Sequence, residues 1–143
     1  MNLLYTITGY PPSVGGAQAC FHQLAQQFAV THRVNVATHW DETRTDWLLG
    51  TTLCAPRTEK QYEIDAIPVH TIALDARERA ALVPAVLGYY ALKGPAIDAI
   101  ARRIARHLAP LAEGAALIHN GRMGREALSF ASFAVARQFG IPF

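Results

Sequence analysis

Leu3-Leu4-Tyr5-Thr6-Ile7 runs into the turn Tyr10-Pro11-Pro12-Ser13-Val14-Gly15-Gly16, which opens directly onto an amphipathic stretch from Ala17 to Ala29. An apolar run without alternation is the mark of a parallel strand covered on both faces. Ala17, Phe21, Leu24 and Phe28 share one helical face, with Gln18, His22 and Gln26 elsewhere. His32-Arg33 leads back into Val34-Asn35-Val36-Ala37-Thr38, a second run of the same character. Strand, helix and strand at this spacing close as a right-handed crossover with parallel strands. The turn leaves backbone N–H groups and the positive end of a helix dipole facing whatever lies beyond the sheet edge, a place suited to a phosphate-bearing ligand.

The rest of the chain continues the alternation. His39 to Lys60 has mixed polarity and reads as a variable excursion, with a short strand expected over Thr51 to Cys54. Tyr62 to Ile72 reads as a small hairpin or bend leading into a third strand at Val69 to Ala73, Pro68 suiting a strand's first residue. Arg77 to Leu92 is helical in tendency but broken by Pro84 and Gly88. Pro95 to Leu108 is a cleaner helix, striped by Ile97, Ile100, Ile104 and Leu108. Ala115 to His119 is the fourth strand, Asn120 to Gly124 its exit loop, and Arg125 to Phe139 the last helix, ended by Gly140. Strands alternating with helices specify an α/β fold, an open and mostly parallel Rossmann-like sheet flanked by helices. A chain of 143 residues suits one domain.

Composition narrows the function classes. With 13 Lys and Arg against 11 Asp and Glu, the net charge of +2 is too small for a nucleic-acid footprint. Arg102, Arg103 and Arg106 read as a solvated helix face. Two separated cysteines, Cys20 and Cys54, fit a reducing, cytoplasmic setting. No signal peptide or membrane span is expected. Ala80 to Leu92, flanked by Arg77, Arg79 and Lys93, has an interfacial composition; core packing is the first expectation for it, and rest on an acidic membrane surface the second.

Ligands in such sheets gather at the carboxyl ends of the strands, so the loops at Gly9 to Gly16, after His39 and at Asn120 to Gly124 hold the candidate residues. Neither G-x-G-x-x-G nor a P-loop is present, which argues against dehydrogenases and ordinary NTPases. Gly15-Gly16 serves either a turn with positive φ or the close approach of a ligand. Six scattered histidines show no metal-ligand spacing, and His119 is expected to orient a loop. Arg122 and Arg125, on or just before a helix start, oppose its dipole and suit either a local anion or solvent. Spacing yields no catalytic triad, nucleophile elbow or carboxylate pair: a binding edge without a catalyst.

These pieces together, Pro11-Pro12-Ser13-Val14-Gly15-Gly16, Leu24-Ala25-Gln26-Gln27-Phe28, His32 to Thr38, Ile67-Pro68-Val69-His70, Leu117-Ile118-His119-Asn120 and Ala134 to Pro142, resemble the amino-terminal domain of family 4 glycosyltransferases, which have the two-domain GT-B architecture. The resemblance covers most of the chain. It implies transfer of a sugar from a nucleotide-sugar donor to an acceptor with retention, with no cofactor and no metal. It assigns substrate contact to Gly15 and Gly16, with Asn120 and Arg122 in a loop facing the same cleft. The family's cleft histidine follows the strand that would start at Ile141, and its acidic donor-binding motif lies in a second domain. Residues 1–143 therefore read as a partial, acceptor-side domain, the incomplete amino-terminal half of a GT-B architecture, inactive alone and with no catalytic residue within it.

Its expected partners are the nucleotide-sugar donor, an unknown acceptor and a missing carboxyl-terminal domain, with peripheral contact at the inner face of the membrane an open alternative. Two further readings stand beside it. One is a free-standing α/β module that holds a phosphorylated metabolite at Gly15-Gly16, and the other a structural subunit pairing through an open sheet edge.

Overall fold

The computed structural model describes residues 1–13, 15–40, 47–121 and 126–143. In chain order its elements are β1 (Asn2–Ile7), α1 (Gly16–Ala29), β2 (Arg33–Thr38), α2 (Trp47–Gly50), β3 (Lys60–Ile64), β4 (Ile67–Thr71), α3 (Ala76–Gly88), α4 (Lys93–Ala112), β5 (Leu117–Gly121) and α5 (Ala127–Phe139). The five strands form one sheet in the order β3-β4-β2-β1-β5. β4, β2, β1 and β5 are parallel, and β3 is an antiparallel edge hairpinned onto β4. The fold is α/β with a mostly parallel sheet flanked by helices, as the alternation of elements predicts.

The absence of polar alternation along β1 has its cause in the two cores. Leu3, Tyr5 and Ile7 face α1 with Phe21 and Ala25, together with Val34, Val36, Ile67 and Val69 from neighbouring strands. Leu4 faces the other way, into a larger core built on Ile97, Ile100, Ile104 and Leu108 of α4 and on Leu128, Ala131 and Val135 of α5. Both faces of β1 thus meet apolar side chains, and burying them is the main favourable contribution to folding.

Several elements differ from expectation. Thr51 to Cys54 is a turn rather than a strand: the Thr51 and Thr52 hydroxyls donate to carbonyls of α2, at Trp47 and Leu48, and Cys54 N donates to Leu49 O. The third parallel strand begins at Ile67, before Pro68, because β4 also serves as one arm of the hairpin. Its ladder with β2 starts only at Val69, so the missing Pro68 N–H costs that ladder nothing. α3 passes through Pro84 unbroken and ends at Gly88. Pro84 is exposed, so water can serve the carbonyl that loses its partner. α4 extends past Leu108 to Ala112.

The order of the parallel strands reverses at β1. From β1 the chain goes by α1 to β2 on one side, while β5 lies on the other. A crevice at the carboxyl ends of β1 and β5 follows from that reversal, and it is the ligand position of open α/β sheets. The loop from Thr8 to Gly15 and the chain beyond Gly121 both start there.

Candidate functional site

The turn after β1 is pinned from three directions. Ser13 donates to Tyr10 O through its backbone N at 3.2 Å and its hydroxyl at 2.8 Å. Tyr62 of β3 donates its phenol to Pro11 O at 2.9 Å. The Tyr10 hydroxyl lies 2.6 Å from His22 Nδ1, and His22 Nε2 lies 2.9 Å from Asp65, which also accepts from Gln26 at 2.6 Å. Burial, with lesser contributions from Tyr62 and Asp65, holds the Tyr10 phenol well above its usual range. Tyr10 therefore stays protonated and serves as an anchor.

At the end of this pinned turn Gly15 is extended, with φ −179° and ψ 151°, and α1 starts at Gly16. Neither glycine has a positive φ, so no left-handed turn requires them. A Cβ on Gly16 would meet nothing within 4 Å among the described residues, so their packing does not require a glycine there either. No side chain caps the helix through Gly15, and its first turn carries no acidic residue. What the two glycines leave behind is bare backbone at the positive end of α1.

Beside that helix start lies a small polar cluster. Gln18, 3% exposed, brings Nε2 within 3.3 Å of where a Cβ on Gly9 would stand, with Ser13 Oγ at 3.5 Å and Trp40 Cε3 at 3.7 Å from the same point. Among the described residues, the Oε1 of Gln18 and the Nε1 of Trp40 are buried without a hydrogen-bond partner, one an acceptor and the other a donor. Ser13 and Trp40 also line a cavity of about 300 Å³ with Tyr10, Pro12, Lys60, Tyr62 and Thr71. Three aromatic side chains around a cavity whose polar lining is Ser13, Lys60 and Thr71 suit a small ring bearing hydroxyl groups.

The end of β5 is organised differently. Asn120 donates through Nδ2 to Thr6 O at 3.2 Å and Thr6 Oγ1 at 2.9 Å, while its Oδ1 accepts from the Ser129 hydroxyl at 2.7 Å. Ser132 donates to Thr6 Oγ1 at 2.9 Å. The Asn120 amide is thus engaged at both ends in fastening α5 to β1 and β5. Glu126, buried at the start of α5, accepts a hydrogen bond from the Thr8 hydroxyl at the head of β1. His119 packs between Tyr5 and Phe21, ring centroids 4.9 and 5.3 Å away, and burial pulls its pKa down. It is held by aromatic contact within the sheet. Arg122 and Arg125 lie outside the described residues.

Of the four residues expected to touch substrate, Gly15 and Gly16 stand where the chain passes from β1 to α1, while Asn120, half-buried, is bonded to Thr6 and Ser129 and also lines a cavity of about 510 Å³ with His119 and Phe133. The sequence reading passed over Gln18, Trp40 and Glu126. Gln18 carried a usable signal, a polar residue two positions into a helix opened by two glycines. Trp40 and Glu126 carried none, because only the tertiary structure brings them to the head of β1. Among the described residues no group of three or more His, Cys, Asp or Glu could hold a metal ion, and both cysteines are exposed and free.

No family model, curated protein or solved structure matches this chain. The functional reading therefore stands on the geometry above and on the residues that carry the resemblance.

Proposed function

We propose that residues 1–143 form the acceptor-side, amino-terminal domain of a retaining, nucleotide-sugar-dependent glycosyltransferase of GT-B architecture. The observation that carries this reading is the bare backbone at Gly15 and Gly16. It follows β1, the strand at which the sheet order reverses; the extended φ of Gly15 is open to any residue, and a Cβ on Gly16 would meet no described residue within 4 Å. Close approach of a ligand's diphosphate to the first turn of α1 supplies the reason.

In the transfer, the bond from the anomeric carbon to the diphosphate oxygen breaks and one to an acceptor hydroxyl oxygen forms, the diphosphate departing with the electron pair and its freed oxygen taking the hydroxyl proton. The share of this chain is electrostatic and positional. Oriented N–H groups at Gly15 and Gly16 stabilise the departing negative charge, and the cavity among Tyr10, Trp40 and Tyr62 receives an acceptor ring. The donor sugar and nucleotide are selected by a second domain.

Titration of the ¹⁵N-labelled protein with a panel of nucleotide sugars tests the reading. The Gly15 and Gly16 amide resonances are expected to shift, and Gly16→Val to suppress the response without unfolding the protein. If simple phosphorylated metabolites move these amides and nucleotide sugars do not, the free-standing binding module takes its place. No movement with either class of ligand removes both.

A further inference from the structure

Ala80, Val83, Pro84 and Leu87 recur at the i, i+3, i+4, i+7 spacing that collects side chains on one face of a helix. In α3 that face points away from the protein. All four residues are exposed, Leu87 at 80%. The opposite stripe of Leu82, Ala85 and Val86 meets the core together with Tyr89. The expectation of core packing for Ala80 to Leu92 therefore accounts for only half of this helix.

The exit from α3 continues the outward patch. Tyr90 is 79% exposed and Leu92 61% exposed. Tyr90 stands edge-on to the buried Tyr89 with centroids 5.3 Å apart, and Tyr89 packs edge-on against Trp47 at 5.2 Å. The apolar side chains are thus presented from a mount fixed in the core. Arg77 and Lys93, both exposed, stand at the two ends of the patch, and no acidic residue occurs from Arg79 to Ile97. Glu78 is turned to the protein side, 3.0 Å from His107 and 3.8 Å from Arg103.

We propose that Val83, Leu87, Tyr90 and Leu92, flanked by Arg77 and Lys93, form a docking surface for an anionic lipid membrane. Cations at both ends of a short apolar stripe match the layering of a bilayer surface, where aliphatic groups enter the acyl boundary and charged ends stay at phosphate level. A tyrosine between them places its hydroxyl among the headgroups. A protein partner fits less well, because a stable interface takes roughly 20–30 residues a side and this patch offers a handful. No helix among the described residues is long and apolar enough to cross a membrane, so the contact is interfacial.

Flotation with vesicles of phosphatidylcholine alone, and of phosphatidylcholine mixed with phosphatidylglycerol, tests the proposal. The protein is expected to float with the anionic vesicles, less with the neutral ones, and less as salt is raised. Leu87→Glu and Tyr90→Glu, at positions that face solvent, are each expected to cut partitioning at least about tenfold with an unchanged melting temperature. Val30→Glu, equally exposed on the far side of the sheet at 80%, should bind as the parent does. The proposal is overturned if the parent protein stays off anionic vesicles, if Leu87→Glu floats undiminished, or if Val30→Glu loses as much as Leu87→Glu. It is also overturned if the effect of Leu87→Glu is to abolish a concentration-dependent dimer, which assigns the patch to a second copy of the chain.

Discussion

Gly121 and Gly16 have opposite surroundings. A Cβ on Gly121 would stand 2.9 Å from the Phe21 ring, which Tyr5 and His119 hold on its other sides. Gly121→Ala must therefore push a wedged ring, and it is expected to destabilise the protein by about 1–2 kcal/mol in urea unfolding. Gly16 is the reverse case, with open space where its side chain would be. Gly16→Ala at this first helical position is expected to leave stability unchanged or raise it by about 0.4–1 kcal/mol, through loss of unfolded-state freedom. The same substitution should weaken the response of the α1 amides to a nucleotide sugar. A variant that gains stability and loses ligand separates a glycine kept for a visitor from one kept for the fold, and equal loss of both would count against the proposed site.

Among the elements, α5 depends on polar fastening as much as on its apolar face. Thr6, Asn120, Ser129 and Ser132 join β1, β5 and α5 beneath the crevice, and Thr6 and Ser132 are fully buried. Asn120→Ala strips two donors from Thr6 and an acceptor from Ser129, and a loss of about 1–3 kcal/mol is expected in thermal or urea unfolding. Unchanged stability would return Asn120 to the list of free, substrate-facing side chains. Apolar periodicity was enough to place β1, α1, β2, α4 and α5, since each repeats its pattern over a full strand or several helical turns, and it set β5 two residues early, so that Asn120 and Gly121 belong to the strand rather than to its exit loop. It misplaced what depends on partners distant in sequence. The turn at Thr51 to Cys54 is held by hydroxyl bonds back to α2, and Pro84 is tolerated because its side of α3 faces water. The two glycines at the head of α1 were legible as a candidate site, whereas Trp40 and Glu126 reach the head of β1 only through folding.

For the whole molecule, acid is the condition most informative about how the sheet is tied to its loops. His39, fully buried after β2, has Nδ1 3.0 Å from Ile72 O beyond β4 and Nε2 3.0 Å from Thr51 O beyond α2. The side chain thus stands between three connections, and in its neutral form it has one N–H to donate to one of the two carbonyls. Burial is the largest influence and lowers its pKa; the two carbonyls pull the other way, and the nearby His107 adds a smaller lowering. With the folded pKa below the usual histidine value of 6.5, His39 in the unfolded chain binds a proton that it refuses in the native protein. The contribution of a neutral His39 is therefore complete above pH 6.5 and is lost as pH falls from there toward the folded value. Over that window a single histidine accounts for at most about 1.4 kcal/mol per pH unit. His39→Gln, which keeps one amide donor for a carbonyl and does not titrate, is expected to be less stable than the parent at neutral pH and to lose less on acidification. Urea unfolding of both proteins at neutral and mildly acidic pH measures the difference. Parallel losses in the two would mean that the acid sensitivity of the fold lies with other groups, and that His39 joins the loops without titrating.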